Sequence, residues 1–341
     1  MEKVLEKDIN QMFQVTAALL AENPLSLKKA AAIQQVSVKT IRRLMAGQLN
    51  ESCYFDYRIN SGKITNFRFT SALPRNQHEL IADLFHKSAN LALLILSMKQ
   101  PILTFPMLSH TAYISPSTLR RRFTSFARFL SPYLITIDHG VYPIITGNER
   151  QIRFLLFKLT AFLLPNLYAS PLSLYQHFHD IHTLRQTALY SFRSCTTTEE
   201  IVPSCFVPDY YLVNESAYLF LWKQLLAQET FFVPKKEAIL LTRIIHPLFT
   251  EPEDHSLADR LSQIYQVHLL CALLEGNIFV FQPTVFSFSK TTIKLIRSFL
   301  LQLPHYEKLL KKHPELPLLY ECIWQKHSIF QPIITIKNAR S

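Results

Sequence analysis

Apolar residues recur along this chain at helical spacing far more often than in the alternation of strands. Between residues 116 and 130, Leu119, Phe123, Phe126 and Leu130 follow at steps of four, three and four, which lines one face of a helix. With Leu119 at zero and about 100° per residue, Ser117, Arg121, Thr124 and Arg128 fall on the opposite face, flanked by Arg120 and Arg122. The start of this helix has an echo. Val36-Ser37-Val38-Lys39-Thr40-Ile41-Arg42-Arg43 and Ile114-Ser115-Pro116-Ser117-Thr118-Leu119-Arg120-Arg121 both spell apolar-Ser-x-x-Thr-apolar-Arg-Arg, 78 residues apart. Ser37 and Ser115 are placed to cap a helix by accepting a backbone N–H, and Pro116 takes the first helical position, where its missing N–H costs nothing. Val36 and Ile114 anchor the turn to the helix before it. Ile41 and Leu44 continue the buried face of the first helix, and Gly47 is predicted to stop it.

The upstream segments complete two helix-turn-helix units. Ser26 is placed to cap Leu27-Lys28-Lys29-Ala30-Ala31-Ala32-Ile33, whose small residues permit close crossing by the next helix. The second unit offers Thr104-Phe105-Pro106-Met107-Leu108-Ser109-His110. Gln35 and Tyr113 stand in the turn where many such sequences carry glycine. Each unit is followed by a hairpin pattern. Tyr54 to Ile59 and Lys63 to Phe69 flank Asn60-Ser61-Gly62, and Tyr133 to Ile137 and Val141 to Ile145 flank Asp138-His139-Gly140. A helix-turn-helix with a hairpin behind it is a winged helix. From Phe154 onward the pattern becomes apolar helices separated by prolines and polar loops, with helices predicted over 215–228, 258–274 and 291–303 and a loop over 194–208. The expected class is mainly α. Its domains are a first winged helix-turn-helix over 1–74, a second over 75–150, and helical regions over 151–246 and 247–341, parted near His246-Pro247 through Asp254.

Composition supports a helical protein: 48% hydrophobic residues can fill several cores, 5 glycines leave little for tight turns, and 19 prolines punctuate short helices. The mean hydropathy of +0.10 raises the question of a membrane. The longest apolar runs, Ala89 to Met98 and Phe154 to Leu164 (broken by Lys158), fall short of the roughly 20 residues a span needs. The charged start of the chain does not resemble a signal peptide, so a cytoplasmic protein without a membrane partner is expected. The five cysteines, Cys53, Cys195, Cys205, Cys271 and Cys322, are odd in number and include no CxxC pair, which predicts buried thiols rather than zinc ligands or disulfides. Net charge is +11, and its distribution is uneven. Residues 1–153 hold 19 Lys and Arg against 10 Asp and Glu, while the rest hold 17 against 15. Such asymmetry points to a polyanion-binding region joined to a near-neutral one.

The expected partner is double-stranded DNA. Arginine can bond guanine bidentately, while Lys, Ser and Thr mostly hold phosphates. The candidate contacts are Ser37, Lys39, Thr40, Arg42 and Arg43 in the first unit, with Arg58, Lys63 and Arg68 on its wing. In the second they are Ser115, Ser117, Thr118, Arg120, Arg121, Arg122 and Arg128. Nucleophile elbow, P-loop, dinucleotide fingerprint and HExxH are all missing, so neither enzyme chemistry nor a cofactor is expected. His177, His179 and His182 cluster in sequence, but 177 and 179 point to different helix faces, and no metal site is expected.

Two runs resemble one family. Ile114-Ser115-Pro116-Ser117-Thr118-Leu119-Arg120-Arg121-Arg122 and Gly147-Asn148-Glu149-Arg150-Gln151-Ile152-Arg153-Phe154 are similar to the Mga family of bacterial virulence regulators. The second run resembles the Gly-x-Glu-x-Gln-Ile-Arg segment with which those proteins leave their second DNA-binding domain. The resemblance implies two winged helices, then two bundles similar to phosphotransferase-system regulation domains, the second of them incomplete here. It implies also a sugar-transport EIIB-like domain, for which no stretch is legible before Ser341. It further implies a homodimer, phosphotransferase-system proteins as partners, and regulatory phosphohistidines, for which His179 or His182 and then His268 are the nearest candidates. Two other readings stay open: a protein-interaction scaffold built on winged helices, and an RNA-binding antiterminator, a class that shares regulation domains but lacks paired helix-turn-helix units.

Overall fold

The computed structural model describes residues 4–21, 25–49, 55–60, 63–69, 74–139, 144–164, 170–190, 215–226, 256–278 and 306–324, with positions 239, 241–242, 294, 296–298 and 300–301. The side chains of residues 55–60 and 63–69 lie outside that description. So do the predicted loop over 194–208 and the expected boundary between His246 and Asp254.

The chain is mainly helical. Its first unit runs α1 (Lys7–Ala21), β1 (Leu25–Ser26), α2 (Leu27–Gln34), α3 (Val38–Leu49), β2 (Phe55–Asn60) and β3 (Lys63–Phe69). The three strands form an antiparallel sheet in the order β1-β3-β2, with Phe67 opposite both Leu25 and Tyr57. Buried Leu27, Ala30 and Ala31 of α2 meet Ile41 and Met45 of α3 and Met12, Phe13 and Val15 of α1. The small alanines let the helix axes approach. Gly47 does not end α3, which continues to Leu49. A single glycine within a helix costs only about 1 kcal/mol against alanine, and the buried face anchored by Ile41 and Met45 carries the helix through it.

The second unit comprises α4 (Pro74–His86), α5 (Ala89–Lys99), α6 (Phe105–Thr111), α7 (Pro116–Leu130), a 3-10 turn at Ser131–Tyr133, β4 (Ile135–Ile137) and β5 (Ile145–Gly147). The stripe on α7 is fully buried: Leu119, Phe123, Phe126 and Leu130 are each 0% exposed. The second hairpin is shorter than expected and displaced toward the C-terminus. Pro132 sits in the 3-10 turn, Tyr133 packs into the core, and Leu134 turns left-handed at φ 55°, so the first strand begins at Ile135 instead of Tyr133. Ile137 then pairs with Ile145, and Val141, the expected start of the second strand, lies outside the described residues.

The later helices are α8 (Glu149–Phe162), α9 (Pro171–Tyr190), α10 (Glu215–Leu226), α11 (Ser256–Leu273), α12 (Tyr306–Lys312) and α13 (Leu316–Trp324). Helix α8 crosses the expected boundary between residues 150 and 151, so one helix joins the second helix-turn-helix unit to the C-terminal helices. It is buried nearly all round, as a helix must be when other elements surround it; α5 and α9 pack against it, and α10 packs on α9. Lys158, the charge that interrupts its apolar run, is buried with it, and burial lowers its pKa to about 7. Phe85 on α4 bridges Phe13 of α1, at 5.2 Å between ring centroids, and Phe162 of α8, at 5.0 Å. Glu6 joins the two units at the start of α5, accepting from the Ser88 hydroxyl at 2.6 Å and the Asn90 amide at 2.8 Å. Among the described residues, no single helix is long and apolar enough to cross a membrane.

Candidate nucleic-acid interface

The eight-residue echo in the sequence is part of a longer repeat in the backbone. Ser26 accepts from the Lys29 amide at 3.2 Å, and Thr104, 78 positions on, accepts from Met107 at 3.1 Å. The turn amides of Val36 and Ile114 bond the carbonyls of Ala31 and Ser109, both at 3.1 Å, and those of Ile41 and Leu119 bond Ser37 and Ser115. Gln35 and Tyr113, the turn residues standing where glycine is common, share φ 52°. Thus α2-turn-α3 and α6-turn-α7 have one construction.

Ser37 and Ser115 cap α3 and α7, accepting from the amides of Thr40 at 3.1 Å and Thr118 at 3.2 Å. The Ser37 and Thr40 hydroxyls lie 2.9 Å apart, and Ser115 donates to Thr118 at 3.0 Å. These four side chains therefore hold the helix starts, where backbone N–H groups and the helix dipole favour an anion. Lys39, Arg42 and Arg43 on α3 are exposed, as are Ser117, Arg120, Arg121 and Arg128 on α7; Arg122 is half-buried. Arg58, Lys63 and Arg68 lie on the hairpin strands, with side chains outside the described ones. A further signal was available in the sequence. Residues 23–50 and 84–137 contain no Asp or Glu, and these two spans enclose both helix-turn-helix segments. Charge counted by halves of the chain conceals this.

The Gly147–Arg153 run has another job: it builds the junction with the later helices. Gly147 has φ +143°, and a Cβ there would come within 2.8 Å of the Leu134 carbonyl. Asn148 caps α8, accepting from Arg150 at 2.9 Å and Gln151 at 3.3 Å. Glu149 accepts from Arg185 of α9 at 2.6 and 2.8 Å and from Arg153 at 2.9 Å. Burial alone would raise the Glu149 pKa, but the bond and charge of Arg185, with the charge of Arg153, hold it below the ordinary value. Arg185 also donates to the Met98 carbonyl at the end of α5. Gln151, 0% exposed, reaches across the chain: its amide donates to Asn277 O at 2.9 Å and its carbonyl accepts from Gly276 N at 3.0 Å. Asn277 in turn donates to Pro132 O at 2.9 Å, and a Cβ on Gly276 would overlap the Tyr133 backbone. Residues 276 and 277 thus clamp the turn that succeeds α7. Sequence reading could not find these partners, because Gln151 and Gly276 are separated by 125 residues.

The three candidate histidines differ in surroundings. His179 is half-buried beside Tyr175, at 6.1 Å between rings. His182 is 2% exposed, and Arg153 donates to its Nδ1 at 2.7 Å. His268 is 1% exposed and bonded to the Tyr320 hydroxyl; burial pushes its pKa down to about 3.

Residues 74–159 match the family model of the Mga helix-turn-helix domain, from the first residue of α4 to near the end of α8. The resemblance read from the residues around Ser115 and Gly147 is borne out there. No curated protein matches the chain at a significant level.

Proposed function

We propose that this chain is a DNA-binding transcription regulator of the Mga type, holding promoter DNA through two winged helices. In this reading α3 and α7 enter the major groove, while the hairpins behind them lie along the phosphates. The observation that carries it is the repeat: two identically capped and turned helix pairs lie within acid-free stretches, and each second helix exposes arginines. A basic helix alone would be a solvated surface. Two of the same build in one chain suit a duplex better. The helices from α8 onward are read as regulation-type bundles that set the attitude of the second unit through the Gln151 and Asn277 contacts, with a homodimer and phosphotransferase-system proteins as partners. Of the three histidines, His179 is the most accessible to a phosphoryl donor; His182 and His268 would need local opening first.

A mobility-shift titration with promoter DNA at rising salt tests the reading. Binding should weaken steeply through counterion release, and replacing Arg120, Arg121 and Arg122 together with alanine should weaken it far more than replacing Lys308, Lys311 and Lys312. Failure to shift duplex DNA even at low salt would sink the proposal, and capture of RNA in preference to duplex would favour the antiterminator reading.

A further inference from the structure

The left-handed turn residues need a reason. An L residue at φ 52° crowds its Cβ against the backbone, a penalty glycine avoids. A bulky residue persists in such a place when something repays the strain. Tyr113 gains little inside the chain: its side chain is 92% exposed, and its ring partner is the exposed His110, 6.3 Å away and tilted.

Tyr113 does, however, border a concavity of about 740 Å³ between α6, the turn and the start of α7, lined also by Phe105, His110, Arg120 and His139. Phe105 is held there by an edge-on contact with Phe123 at 5.4 Å and another with His139 at 5.2 Å. No lining residue among those described is acidic. Aromatic rings beside one fixed cation and two histidines complement a ligand that is part apolar and part anionic. A deoxyribose with its phosphate has that character, and the concavity adjoins the helix that the proposed function places in the groove.

We propose that this concavity is a sugar–phosphate subsite for duplex DNA, with the deoxyribose against Tyr113 and the phosphate at Arg120. It rests on the DNA-binding reading and adds a contact beyond the exposed face of α7. Tyr113 is then retained against its own backbone preference because it meets the duplex at the lip of the groove.

The test sets stability against affinity, using the full chain and a fluorescent mixed-sequence duplex of about 30 base pairs, whose binding depends on sugar and phosphate contacts and not on base sequence. Tyr113→Gly should melt no lower than the unmodified protein, yet bind about tenfold more weakly, the loss of one aromatic contact. The slope of log affinity against log salt should not change, since no charge is removed. Tyr113→Phe should keep most of the affinity. Arg120→Ala should reduce the salt slope by about one phosphate. Two results overturn the inference alone: unchanged affinity in Tyr113→Gly while the triple arginine variant loses binding, or a lower melting temperature in Tyr113→Gly, which would make the tyrosine structural. If the triple arginine variant also binds normally, the DNA-binding reading falls with it.

Discussion

Glu149 shows how one side chain can hold a junction. It neutralises Arg185, which is 1% exposed, and removing one member of a buried pair leaves the other charge uncompensated. Glu149→Gln should therefore destabilise the chain by about 3 kcal/mol, read as a lower urea midpoint. The acid limb of stability should change as well. Because the folded-state pKa of Glu149 lies below 4.5, its contribution is complete above that pH and is lost as pH falls through the folded value. His268 acts over a higher window. Its folded pKa of about 3 lies under the ordinary 6.5, so the unfolded chain takes up the proton first and stability declines as pH falls from 6.5 toward 3. In His268→Gln the urea midpoint should vary less between pH 6.5 and 5; an unchanged slope would mean that the ring titrates freely. Gly147→Ala belongs to the same scale: at φ +143° with the Leu134 carbonyl 2.8 Å from its Cβ, it should cost about 2 kcal/mol.

Caps and stripes are elements' property, and here the sequence was most legible. Loss of the cap in Ser37→Ala or Ser115→Ala should cost about 1 kcal/mol each, seen as a shift in chemical unfolding; no shift in either would deny that these hydroxyls hold α3 and α7. Both capping serines, the α7 stripe and the first hairpin arise from local rules, because each depends on neighbours within a turn or two. The misjudged features depend on distant ones. Gly47 looks like a stop until Met45 is seen packed at 1% exposure in the core. The second hairpin looks symmetrical about Asp138-His139-Gly140 until Tyr133 is found buried and Leu134 left-handed. Of the candidate DNA contacts, the exposed arginines were legible from helical angle alone. The engagement of Thr40 and Thr118 in the caps needed coordinates, and so did the concavity beside Tyr113.

On the scale of the molecule, the question is how the later helices could be felt at α7. The route is short. Gln151 holds residues 276 and 277, Asn277 holds Pro132, and Pro132 stands two residues beyond the end of α7. Ile278 is fixed from the far side by the Glu315 carboxylate, which accepts from its amide at 3.0 Å, so movement in the α11–α13 region pulls on the same loop. Such a chain of contacts transmits a signal only if its members shift together. Gln151→Leu removes both side-chain bonds and leaves the Gly276 amide and the Asn277 carbonyl without them. Hydrogen exchange should then quicken in peptides covering 274–278 and 130–135, while those covering α2 and α3 keep their protection. DNA affinity measured on the same variant separates two outcomes. If the clamp orients the second unit, affinity changes along with exchange at 130–135; if exchange rises and affinity holds, the clamp serves stability alone and the regulatory route must run elsewhere.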